Sequence, residues 1–159
     1  MSTASSVISP VAAAQLTDGA IQVFVVNKSG EIWSRWKVNS VPNCPWTDWS
    51  IFQPFPAGGT VKFLFAVDLS DKRIQLWGID DKGRVFSCWK SNTNRSAPWT
   101  PWTAFSMNGI GNNTPLSMGG SSLSDGRPQI FLTTAQGLVF SCWKTTTASS
   151  SAWTAWTPF

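Results

Sequence analysis

The chain has 159 residues, a net charge of +4 and only 13% charged residues, against roughly a quarter in an ordinary domain. Its twelve Lys and Arg are scattered with no run of three, so no basic stripe exists for a nucleic-acid backbone, and no apolar run reaches the ~18 residues of a membrane-spanning helix. Eleven Trp and ten Phe beside no Tyr and no His leave a surface of Ser, Thr, Asn, Gly and neutral backbone, suited to uncharged polar partners.

The amino terminus, Met1 to Pro10, has neither a basic start nor a long apolar core, so no cleaved signal peptide is expected. The implied location is the cytoplasm, or outside the cell by export without cleavage. The first predicted strand covers Val11–Leu16 and ends at a turn, Thr17-Asp18-Gly19. Ile21–Val26 follows, then a turn ending at Gly30, then Ile32–Trp36, and a polar loop leads to Trp46-Thr-Asp-Trp49 and Phe52. The pattern restarts with Val61–Leu69, the turn Ser70-Asp71, Ile74–Trp77, a turn at Gly83 and Val85–Trp89, with a last strand near Trp99–Phe105. It restarts again with Leu116–Leu123, the turn Ser124-Asp125-Gly126, Gln129–Leu132, Gly137, Val139–Trp143 and Trp153–Phe159.

These are three copies of one unit. Each holds a cassette: Gly30-Glu-Ile-Trp-Ser-Arg-Trp36-Lys, Gly83-Arg-Val-Phe-Ser-Cys-Trp89-Lys and Gly137-Leu-Val-Phe-Ser-Cys-Trp143-Lys. A Trp-Thr-x-Trp pair follows each one: Trp46/Trp49, Trp99/Trp102 and Trp153/Trp156. The period is 53 residues and then 54, the mark of one small supersecondary unit repeated. A single repeat domain results, with units at about 7–57, 58–110 and 111–159. Each unit carries four short strands rich in aromatic and β-branched residues, with Gly, Asp and Asn between them and no helical periodicity. The chain is predicted to be all-β. Two architectures fit. A β-propeller of three four-stranded blades cannot close alone and would pair into a ring of six by dimerisation. A β-trefoil would close as a monomer. The unit boundaries fit one half of a larger propeller equally well.

Four linked elements, Ser124-Asp125-Gly126-Arg127, Gln129-Ile-Phe131, Gly137-Leu-Val-Phe-Ser-Cys-Trp143 and Trp153-Thr-Ala-Trp156, resemble the repeat of a propeller lectin family. That family includes the fucose-binding lectins of Photorhabdus and the Psathyrella velutina lectin, and more distantly the tectonin-like proteins. The resemblance covers essentially the whole chain. It departs where the family often carries His after the first cassette aromatic; here Ser34, Ser87 and Ser141 stand. It implies a multivalent lectin that binds neutral saccharides, fucose or a related deoxy or methylated sugar first, in clefts between blades. The alternative is a propeller that scaffolds protein partners.

The chemistry agrees. A neutral sugar offers a patch of C–H on one ring face and hydroxyls around its rim. Trp supplies a rigid plate for the first, and Ser, Thr, Asn and backbone groups serve the second. The predicted sugar-binding residues are Trp36, Trp89 and Trp143, the first Trp of each pair, Trp46, Trp99 and Trp153, and the polar Arg35, Ser34, Ser87 and Ser141. An indole on an inner strand is as readily core, and Trp49, Trp102 and Trp156 are read as packing. Strand alternation puts Val85, Ser87 and Trp89 on one face and Phe86 with Cys88 on the other, as a buried pair. Trp77 shares a repeat position with Phe24 and Phe131 and reads as core.

Catalysis is not expected. No His is present for a general base, and Glu31 with seven Asp, mostly in turns, gives no carboxylate pair for glycoside cleavage. Asp18, Asp71 and Asp125 read as turn caps. Asp80-Asp81 lacks the further carboxylates of a calcium loop, so no metal and no cofactor is predicted. Cys44, Cys88 and Cys142 are an odd number without a C-x-x-C and read as reduced thiols.

Overall fold

In the computed structural model, residues 8–56, 58–148 and 150–159 are described. The reading of the amino terminus falls largely on residues 1–7, outside them. Strands β1 (Ile8–Gln15), β2 (Ile21–Val26), β3 (Ile32–Trp36) and β4 (Ser50–Ile51) pair in that order as one antiparallel sheet. The second sheet is β5 (Val61–Asp68), β6 (Ile74–Asp80), β7 (Val85–Trp89) and β8 (Thr103–Ala104). The third is β9 (Pro115–Ser122), β10 (Pro128–Thr134), β11 (Val139–Trp143) and β12 (Thr157–Pro158). No helix occurs among the described residues.

Each unit keeps its four strands in its own meander. β1 lies against β5, and β5 against β9, so the first strands stand side by side and the sheets fan outward from them. This is a propeller-like arrangement. A trefoil would mix strands of the three units in one barrel, and the separate sheets rule that alternative out.

The turns are built alike. Leu16, Leu69 and Leu123 donate their N–H to the carbonyls of Ala20, Arg73 and Arg127, each at 2.7 Å. Gly19 and Gly126 take positive φ there, and Lys72 does so in the second unit. The turn aspartates cap as expected: Asp18, Asp71 and Asp125 accept from the N–H two residues on.

The core lies between sheets. Phe24, Val26, Ile32 and Phe52 of the first unit meet Leu64, Leu76, Cys88, Trp99 and Trp102 of the second. Trp77, Ile79, Val85 and Phe105 of the second meet Ile130, Leu132, Phe140, Cys142, Trp153 and Trp156 of the third. The two seams share one central ring contact. Phe52 stands edge-on between Trp99 and Trp102, centroids 5.0 and 6.3 Å away. Phe105 stands in the same way between Trp153 and Trp156, at 5.6 and 6.3 Å. Each such ring pair is worth about 0.5–1.5 kcal/mol beyond the area it buries.

Two local expectations change. Cys88 is sealed, as predicted, but its supposed partner Phe86 is only half-buried. Phe86 lies against the ring of Phe55, centroids 5.2 Å apart, because the connection between the first two sheets crosses over Gly78, where any Cβ would strike the Phe55 ring. The fourth strand of each sheet is two residues long rather than seven, and Trp46, Trp99 and Trp153 sit ahead of it on single bridges to Lys37, Lys90 and Lys144.

The two end faces of the fan differ from the seams. On the first sheet, the guanidinium of Arg35 lies over Trp46 and Trp49, 5.0 and 4.6 Å from the ring centroids. On the third, Phe131 and Phe159 touch only each other among the ring contacts of the described residues, at 5.1 Å, and Phe159 is 82% exposed.

Candidate functional site

One face of each sheet is a small square of side chains fixed by strand register. Gln22 is the cross-strand partner of Trp36, and Phe24 of Ser34. Gln75 faces Trp89, and Trp77 faces Ser87. Gln129 faces Trp143, and Phe131 faces Ser141. The rings of Phe24 and Trp77 at the second position are core, while Phe131 is half-buried on the open face of the third sheet, so in the two seams the outer pair, Gln and Trp, is left at the mouth.

Two clefts open there. The first, about 280 Å³, lies between the first two sheets, with Gln22, Ser34 and Trp36 on one wall and Lys90, Arg95 and Trp99 on the other. The second, about 240 Å³, pairs Gln75, Ser87 and Trp89 with Lys144, Ser151 and Trp153. The repeat thus brings two members of each predicted tryptophan set to facing walls: Trp36 with Trp99, and Trp89 with Trp153. Ser34 and Ser87 lie in the same clefts. Trp143 and Ser141 stand on the open face of the third sheet, and Trp46 and Arg35 on the open face of the first, so these four do not meet a facing wall within the chain. A wider hollow of about 440 Å³ near Arg84, Phe86 and Asn113 lacks an indole wall.

The Trp-Thr-x-Trp pairs have a structural reason. The hydroxyls of Thr47, Thr100 and Thr154 accept the N–H of Trp36, Trp89 and Trp143 at 3.1, 3.0 and 3.1 Å. The same threonines return their own N–H to those tryptophans' carbonyls. The threonine therefore locks one tryptophan backbone beside the other and fixes the wall.

Lysine holds the lip. Lys90 is 2% exposed, and its ammonium donates to the carbonyls of Asn94 and Arg95 at 3.2 and 2.5 Å. Lys144 does the same to Ser151 at 3.0 Å, and Lys37 to Pro42. Burial, with the charge of Arg95 added, pulls Lys90 down to about 8 against the opposing pull of Asp18. Burial also lowers Lys144. Burial pushes the Cys88 and Cys142 thiols far up, which leaves them inert at neutral pH. Among the described residues, no carboxylate lines either cleft.

The polar groups at the mouth are underused. Gln75 Nε2 donates to Ser87 Oγ at 3.3 Å. Gln22 is 3% exposed, yet its Oε1 has no hydrogen-bond partner. A buried carbonyl in that state costs about 1–3 kcal/mol, and a hydroxyl of a bound molecule would repay it.

Sequence reasoning missed Gln22, Gln75 and Gln129, and Lys37, Lys90 and Lys144. Their signal was present: both residue types recur at one position in all three units. Arg95 has no counterpart in the repeat and gave no signal.

Neither a protein-family model nor a curated protein sequence matches the chain. Solved structures do. The lectin of Aleuria aurantia, determined in complex with Fucα1-6GlcNAc, superposes with a TM-score of 0.58 at 10% identity, over 94% of this chain and 45% of its own. A fucose lectin from Kordia zhangzhouensis, in complex with methyl-fucoside, gives 0.51 at 12% identity, over 94% of this chain and 97% of its own. The chain therefore spans less than half the length of the Aleuria lectin. At these identities the likeness is one of fold.

Proposed function

We propose that this protein is a non-catalytic lectin that binds uncharged saccharides at the mouths of its seams, fucose or a related deoxy or methylated sugar first. One observation carries the reading: both clefts present two facing indoles with Gln and Ser between them, and one of those Gln carbonyls is buried and unpaired. The apolar face of a pyranose lies on Trp36 or Trp89. Its hydroxyls reach the Gln and Ser groups and the loop around Arg95 or Ser151. The fold shared with fucose-binding lectins supports the choice of sugar.

Repetition serves avidity. Several weak sites on one rigid body raise apparent affinity on the order of 10²-fold when a surface displays many copies of the sugar. A second chain, closing the fan into a ring of six blades, would raise the number of seams from two to six.

Calorimetry and tryptophan fluorescence with L-fucose, galactose, GlcNAc and their methyl glycosides test the proposal. Saturable binding of one of these, lost stepwise in Trp36→Ala and Trp89→Ala, is the expected result. A folded protein silent to all of them would favour a scaffold for protein partners instead.

A further inference from the structure

At both internal seams a phenylalanine of the preceding unit fills the notch between a Trp pair: Phe52 between Trp99 and Trp102, Phe105 between Trp153 and Trp156. The first sheet has the same notch, Trp46 and Trp49, with no preceding unit beside it among the described residues. There Arg35 fills the space from its own sheet. Cys88 and Cys142, which hold the position of Arg35 in the other units, are too short to do so. At the far end of the fan stands Phe159, the repeat equivalent of Phe52 and Phe105, 82% exposed where Phe52 is 7% exposed.

We propose that Phe159 of a second copy is the proper occupant of the Trp46–Trp49 notch, and that Arg35 is a latch that covers the notch until that copy arrives. The fit rests on repeat positions already seen packed twice. The loops agree as well. Thr17 donates its hydroxyl to the carbonyl of Thr93 across the first seam at 2.8 Å, and Ser70 to Thr147 across the second. Ser124 and Ser40 hold the matching places on the two open faces. The guanidinium and an inserted phenyl ring would compete for one notch: Arg35 lies 5.0 Å from the Trp46 centroid, as Phe52 does from Trp99, and closer still, 4.6 Å, to Trp49. Docking therefore displaces Arg35, and its two stacking contacts set a threshold on assembly.

Closure would also finish a further cleft. Gln129, Ser141 and Trp143 of one copy would face Lys37 and Trp46 of the other, in the arrangement of the two internal clefts. This part rests on the saccharide reading above; the docking itself does not.

Sedimentation velocity of the full chain over a wide concentration range, under reducing conditions, tests the docking. A concentration-dependent dimer is expected. Phe159→Ala should weaken it at least tenfold, and Arg35→Ala should tighten it by roughly tenfold, the worth of two stacked contacts. Unchanged far-UV dichroism of Phe159→Ala excludes a folding defect. A wild-type chain and Arg35→Ala that both stay monomeric, or a dimer indifferent to both substitutions, overturns the proposal. Sugar stoichiometry is the second arm: three sites per chain in the dimer, two in Phe159→Ala. Two per chain in a dimer would refute the shared cleft. Absence of sugar binding in every variant would refute the lectin reading and leave the hydrodynamic result to decide the docking.

Discussion

Arg95, in a loop of the second unit, is ion-paired to Asp18 at the first turn of the first unit. In the other two units the turn aspartate is paired from within the unit: Arg73 with Asp71 at 2.7 Å and Arg127 with Asp125 at 2.6 Å. The first unit has Ala20 where they have arginine, and the neighbouring sheet supplies the missing guanidinium. Arg95 also donates to the carbonyl of Val38, so one side chain ties two sheets together at the lip of the first cleft.

The pair is partly exposed, and its expected coupling in a double-mutant cycle of Arg95→Ala and Asp18→Asn is about 0.2–1 kcal/mol. Urea unfolding at low and high salt measures it, and the value should shrink as salt rises. Saccharide binding at the first cleft should weaken in Arg95→Ala more than stability does, because the loop that forms its wall loses its anchor.

The two walls of a cleft should respond differently to truncation. Trp89 is half-buried and lies outside the ring clusters, so Trp89→Ala should abolish binding at the second cleft with a small loss of stability. Trp99 meets Phe24 and Phe52 edge-on at 5.4 and 5.0 Å. Trp99→Ala should cost about 3 kcal/mol through the cavity it leaves. Calorimetric site counts beside denaturant midpoints separate the two effects.

Gln22→Met sets stability against binding. It removes a buried carbonyl that has no partner, and the fold should gain about 1 kcal/mol or remain unchanged. The same change should weaken saccharide at the first cleft about tenfold and leave the second cleft intact.

The pH dependence has two opposing arms. The pKa of Lys90 is near 8 in the fold, below its ordinary 10.5, so between these values the unfolded chain holds a proton that the native one has shed. Stability from this group therefore rises with pH through that window. Cys88 and Cys142 are raised above their ordinary 9.0, so the unfolded chain ionises first and their contribution is lost as pH climbs past 9.0. Melting temperature should accordingly pass a maximum between these two onsets. In Lys90→Met the rising arm should be reduced and the falling arm kept.

Much of this was legible in the sequence for a physical reason. A strand advances two residues per face, so the cassette Val-Phe-Ser-Cys-Trp states which side chains go together, and Ser87 and Trp89 do share a cleft while Cys88 is sealed. Trp77 reads as core because Phe24 and Phe131 hold its place. The facing of one unit on the next is another matter. Phe24 meets Trp99 across 75 residues of chain, and no local pattern names that partner. Lys90 was missed for a different reason. A recurring lysine suggests a solvated surface, but its ammonium folds back on loop carbonyls that only the hairpin creates.

The step from one sheet to the next is made twice with nearly the same ring geometry: Phe24 to Trp99 at 5.4 Å and 87°, Trp77 to Trp153 at 5.8 Å and 83°. A step repeated so faithfully has no natural stopping point. Its wedge angle alone decides whether successive copies bite their own tail or wind into an endless spiral. Small changes in ring size at Phe24 or Trp77 are thus changes of angle, and a few degrees would separate a discrete particle from a fibre.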